Sequence, residues 1–211
     1  MVPYISLPGP RILVTGFKPF GGMSVNSSEV VIRALACDRL VGRWISRAVV
    51  LPVEFDGCFR VLKPRLRKTP PDALVCFGQS PSPVIELERV ARNRNVTYNR
   101  TTKRAVKQVI VPGGPGRIKT RLPIRLIARR LRKGGFRRKY SDDAGGYVCN
   151  NLFYHAALHT RSSRLPCGFV HLPVIGSNGW TRRRLVAAGR EIIRAVVESL
   201  PRAGARLLRF S

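Results

Sequence analysis

The chain has 211 residues, a formal net charge of +28 and 44% hydrophobic residues. That apolar content excludes a charge-driven disordered chain, and the length sets one domain over residues 1–211 as the expectation, with loosely ordered ends at 1–10 and 202–211. Five scattered cysteines without a C-x-x-C exclude a disulfide framework or zinc knuckle. No leader pattern or stretch of ~20 apolar residues is present, so a cytoplasmic protein without membrane contact is expected.

In chain order, ILVT at 12–15 is the first β-branched, strand-length run. Ser27 or Ser28 is expected to cap a helix carrying Val31, Ala34 and Leu35. Further strand-like runs follow at AVVLPV (48–53), ALVCF (73–77) and QVIV (108–111). Pro123 suits position N1 of a helix with Ile124, Ile127 and Leu131, stopped by Gly134. VCNNLFYHAAL has helical spacing through Val148, Leu152 and Ala156, and GFVHLPVI at 168–175 is another strand. Apolar residues recur at Leu185, Ile192, Ile193, Val196 and Val197 in a last helix over 181–200, before Pro201. Strand and helix alternate, which predicts an α/β sandwich around a largely parallel sheet.

From Arg89 through Lys139 there is no acidic residue, against 18 lysines and arginines. On the Pro123 helix, Arg125, Arg129 and Arg132 share a side away from the apolar stripe. This reads either as a solvated basic face or as a surface for weak binding of anions or nucleic acid, although no recognised nucleic-acid motif accompanies it.

Three histidines and eleven carboxylates leave few catalytic sets. His155 and His159 are four apart on a helix, but no third ligand completes a metal site, and none is expected. His171 lies within an apolar strand and reads as a core histidine or as a general base. Cys149 follows a double glycine and stands in the first turn of a helix. There, free N–H groups and the dipole favour a thiolate and can form an oxyanion hole; the alternative is an inert buried thiol. Glu88, beside Arg89, reads as a surface ion-pair partner or as the orienting member of a cysteine–histidine–carboxylate set drawn from three segments.

The motifs holding these residues resemble the pyroglutamyl-peptidase I family, the pyrrolidone-carboxylate peptidases. ILVTGFKPFGGMSVNSS (12–28) is similar to the family's TGF-x-PFGG-x-x-x-N-x-S signature, and LPVEF (51–55) and FGQS (77–80) follow. ELERVARN (86–93), DAGGYVCNNLFY (143–154) and GFVHLPVI (168–175) resemble its glutamate, cysteine and histidine motifs. The resemblance implies a single-domain α/β/α sandwich and a cysteine peptidase that removes N-terminal pyroglutamate from peptides through a thioester, without a cofactor. It makes Cys149 the nucleophile, His171 the base and then acid, and Glu88 the orienting residue. Phe17 and Phe20 would help form the lactam pocket, with Gln79 beside it.

The chain departs from the family's pattern at SPSPV (80–84), where a glycine-rich stretch is usual, and at RNVTYNRTTKRAVKQ (94–108), in place of an acidic, asparagine-bearing loop. Glu86 replaces a threonine or serine and adds a second carboxylate near Glu88. Three readings follow: an active pyroglutamyl peptidase, a catalytically weak relative that binds an anionic partner such as RNA, or another thiol hydrolase. Oligomeric state is left open.

Overall fold

A computed structural model describes residues 9–99 and 104–201 of the chain. The expected loose ends thus fall outside the described residues, apart from positions 9 and 10. Ten strands and five helices run in the order β1 (Ile12–Phe17), α1 (Ser27–Ala36), β2 (Ile45–Leu51), α2 (Gly57–Lys68), β3 (Ala73–Ser80), β4 (Ile85–Glu88), β5 (Val90–Arg92), β6 (Asn95–Asn99), β7 (Arg104–Gln108), β8 (Arg117–Lys119), α3 (Ile124–Lys133), β9 (Arg138–Ser141), α4 (Val148–His159), β10 (Cys167–Pro173) and α5 (Arg182–Ser199) among the described residues. Six strands form the main sheet in the order β2-β1-β3-β10-β4-β9. All its pairings are parallel except β4 against β10.

Strand side chains alternate between faces, so each central strand feeds two cores. Ile12, Val14, Val75, Phe77, Ile85, Leu87, Val170 and Leu172 pack beneath α1, α3 and α5. Their neighbours Leu13, Leu74, Cys76 and Phe169 meet α2 and α4 on the other face. The α/β/α expectation holds. Cys149 packs against this second core, and the same alternation turns His171, Glu86 and Glu88 toward the α4 side.

Several local expectations are corrected. The cap of α1 is Asn26, whose side chain accepts from the Ser28 N–H. Ser27 and Ser28 instead tie strand ends together. The Ser28 hydroxyl accepts from the Phe17 N–H, while that of Ser27 donates to Gln79 Oε1 and accepts from the Ile175 N–H. Pro123 sits one position earlier than expected, at the cap of α3. QVIV is not a strand: β7 ends at Gln108, and the Ile110 and Val111 N–H groups donate to Asn93 Oδ1. An asparagine side chain there replaces a ladder partner.

Candidate active site

The cysteine motif works because its two glycines do different jobs. Gly145 adopts φ +82°, a left-handed conformation open to glycine, and turns the chain toward α4. Gly146 lies against Val96, where an added Cβ would come within 2.3 Å of a methyl carbon, and its carbonyl accepts from the Val96 N–H. Cys149 is then the second residue of α4. The first i to i−4 bond of the helix is donated by Asn151 to Tyr147, so the Cys149 and Asn150 N–H groups precede the helical ladder.

Two buried asparagines fix this helix end. Asn150 accepts from the Arg92 N–H and donates to the Arg92 and Arg94 carbonyls. Asn151 accepts from the Asp56 N–H and donates to Asp56 Oδ1 and Asn95 Oδ1. The sequence reading passed over both. Both stand in the DAGGYVCNNLFY motif, but their fastening role shows only once their full burial is known.

His171 lies on β10, opposite Gly78 on β3 and opposite Glu86 on β4. Its Nδ1 is 2.8 Å from Glu88 Oε1, and Glu88 is buried to 1% exposure. That bond leaves the other ring nitrogen unclaimed by Glu88, and the Cys149 sulfur stands over Gly78, the cross-strand neighbour of His171. Burial opposes charge on His171, but the neighbouring Cys149 and then Glu88 outweigh it, raising the imidazole to about 10. Gly78 makes the meeting sterically feasible: a Cβ there would lie 2.7 Å from the Phe169 ring and 3.0 Å from Cys149 Sγ.

Cys149, His171 and Glu88 are thus brought together from α4, β10 and β4. Glu88 and Arg89 do not form the surface pair considered from sequence, since Arg89 binds Asp142 on the opposite side of the strand. The other cysteines differ in setting: burial pushes the Cys58 and Cys167 thiols up to about 12 and that of Cys76 well above its ordinary value, and Cys37 is exposed.

The residues expected at the substrate pocket are less uniform. Gln79 is buried, with Oε1 accepting from the Ser27 N–H and hydroxyl and Nε2 donating to Met23 Sδ. Phe20 is 38% exposed. Phe17, in contrast, is a core residue packed toward Phe169, with ring centroids 6.5 Å apart. An edge-to-face pair missed from sequence, Phe55 with Tyr147, lies two residues before the cysteine.

His155 and His159 pack on Phe59, and His155 pairs with Asp56 at 3.0 Å. Among the described residues, ligand-type side chains gather in a group of three only as Glu86, Glu88 and His171. These atoms already engage one another, Ser80 and Lys139. No helix among the described residues is long and apolar enough to cross a membrane.

The sandwich with a cysteine–histidine–glutamate set on one face defines a thiol-hydrolase type of site, and comparison with known proteins makes it specific. A family model described as pyroglutamyl peptidase matches residues 10–187, and the chain belongs to that family. It is 34% identical over 172 residues to a pyrrolidone-carboxylate peptidase of Bacillus licheniformis, covering 79% of this chain and 80% of that protein. A second, from Halalkalibacterium halodurans, is 36% identical over 170 residues, covering 78% and 84%. Among solved structures, pyroglutamyl peptidase I from Bacillus amyloliquefaciens superposes with a TM-score of 0.79 at 29% identity, covering 90% of this chain and 95% of that one. A variant pyrrolidone carboxyl peptidase from the hyperthermophile Pyrococcus furiosus gives 0.78 at 28% identity, covering 90% and 100%. All of these are named as peptidases, and none as a nucleic-acid-binding protein.

Proposed function

We propose that the chain is a cysteine exopeptidase, acting as one catalytic domain, that hydrolyses the N-terminal pyroglutamyl group from peptides through Cys149, His171 and Glu88. The observation that carries this reading is the buried Glu88–His171 hydrogen bond beside the Cys149 thiol at the start of α4. The thiol proton passes to His171, and the sulfur attacks the pyroglutamyl carbonyl carbon. The oxyanion forms against N–H groups of the first turn of α4. As the C–N bond breaks, His171 gives its proton to the departing amine. Water, losing a proton to His171, then attacks the thioester, and the sulfur leaves with pyroglutamate released.

Glu88 holds the Nδ1 proton and stabilises the imidazolium throughout. Phe17 and Phe20 would help form the lactam slot, with Gln79 beside it. A pyroglutamyl ring is neutral, whereas an ordinary N-terminus would bury an unpaired ammonium ion.

All five cysteines are free, as a reducing compartment allows, and this supports a cytoplasmic home. Weak attraction of anions to the exposed Arg125, Arg129 and Arg132 is an electrostatic accompaniment of this reading. The test is release of a fluorogenic amine from a pyroglutamyl substrate. The parent protein should be active and Cys149→Ala should lose at least about 1,000-fold in kcat. An inactive parent, or activity surviving in the variant, overturns the assignment.

A further inference from the structure

His171 faces two carboxylates. Glu86 and Glu88 are two apart on β4 and so project from the same face, and Glu86 is the direct cross-strand neighbour of His171. The nearest polar atoms of Glu86, Glu88 and His171 lie within 4.8 Å of one another. The next strand continues the row, since Glu86 is in register with Lys139 on β9.

The two acids are compensated differently. Glu88 accepts from the imidazole through Oε1, and its buried Oε2 has no hydrogen-bond partner among the described residues. Glu86 accepts from the Ser80 hydroxyl at 2.8 Å and from Lys139 Nζ at 3.0 Å. Its side chain is 14% exposed, while that of Lys139 is 56% exposed. Burial favours its neutral form, but Ser80, Lys139 and the charge of His171 outweigh that and lower its proton affinity. Glu86 is thus a held charge beside the imidazole, and Ser80 belongs to the stretch that replaces the usual glycine-rich one.

We propose that Glu86, clamped by Ser80 and Lys139, is a second positioning carboxylate that steadies the positive charge of His171 during the reaction. The groups facing His171 are then Glu86 and Glu88 from β4 and Cys149 from α4, with Lys139 acting on it through Glu86. Gly78, opposite it on β3, carries no charge. Removing the negative charge at 86 makes the imidazolium lose its proton more readily. Removing the positive charge at 139 does the reverse.

This inference rests on the proposed reaction but can be tested apart from it. Glu86→Gln should move the alkaline limb of the kcat/KM–pH profile down by about half to one unit, and Lys139→Met should move it up by a smaller amount. The pH titration of the His171 ring by NMR, which needs no substrate, should shift in the same two directions. Lys139 is exposed, so its variant tests the idea even if Glu86→Gln does not fold. Opposite shifts support the proposal. A Glu86→Gln enzyme that is slower with an unmoved limb, or two variants that leave the ring titration where it was, would overturn it. A parent that ignores pyroglutamyl substrates would sink the proposed reaction, while the ring titration would still decide the role of Glu86.

Discussion

A missing side chain does as much for this site as the reactive ones. Gly78 has an ordinary backbone conformation, so its value lies in the space above it, which Cys149 Sγ and the Phe169 ring occupy. A methyl group there has to displace the sulfur, the ring or both. Gly78→Ala is expected to lower kcat/KM by about 100-fold or more, because displacements of about 1 Å carry costs of that order. The measurement is kcat/KM alongside a urea unfolding curve; an alanine variant with parental kinetics would show that the packing around the sulfur is slack. Glu88 illustrates the other side of residue-scale chemistry. Its buried carboxylate is held by the imidazole it orients, which is why the ordinary reading of a glutamate next to an arginine fails here: the strand sends the two side chains to opposite faces.

At the scale of elements, α4 is the part that aims the nucleophile, and Asn150 and Asn151 fasten it to β5, β6 and the segment before α2. Asn150→Ala would leave the Arg92 N–H and the Arg92 and Arg94 carbonyls without those partners. We expect a loss of about 2 kcal/mol or more in unfolding free energy, read from urea denaturation, together with a reduced kcat. An unchanged urea midpoint would refute the fastening role. The long elements were legible in the sequence because their apolar periods are unambiguous: β1, β3, β10, α4 and α5 all lie where those periods put them. Others were not. Helix α2 buries Cys58, Leu62 and Leu66 at helical spacing, but Pro64 and a run of basic residues obscure the stripe. β4 is four residues long, two of them acidic, and only its place beside β10 makes it a strand. The three reactive residues were legible as motifs, whereas Gly78, the asparagines and the Glu86–Lys139 pairing depend on which strands lie next to each other.

For the molecule as a whole, the net charge of +28 acts on substrates before they reach the cysteine. Exposed arginines on α3 meet solvent directly, while Arg130 is paired with Glu191 and Glu198 of α5. Pyroglutamyl peptides with acidic residues beyond the scissile bond should be cleaved with higher kcat/KM than basic ones at low ionic strength, and the gap should close as salt rises past about 0.15 M. Equal values for both peptides across a salt series would remove the field from the account. The sheet, finally, behaves as a partition with a strict left-right rule. In Ile85-Glu86-Leu87-Glu88, the aliphatic residues support one core and the acids serve the chemistry on the other side. A slip of one residue in that strand would thrust two carboxylates into oil and offer two greasy side chains to the imidazole. Such a chain would fail to fold before it could fail to cleave, so assembly itself proofreads the catalytic alignment.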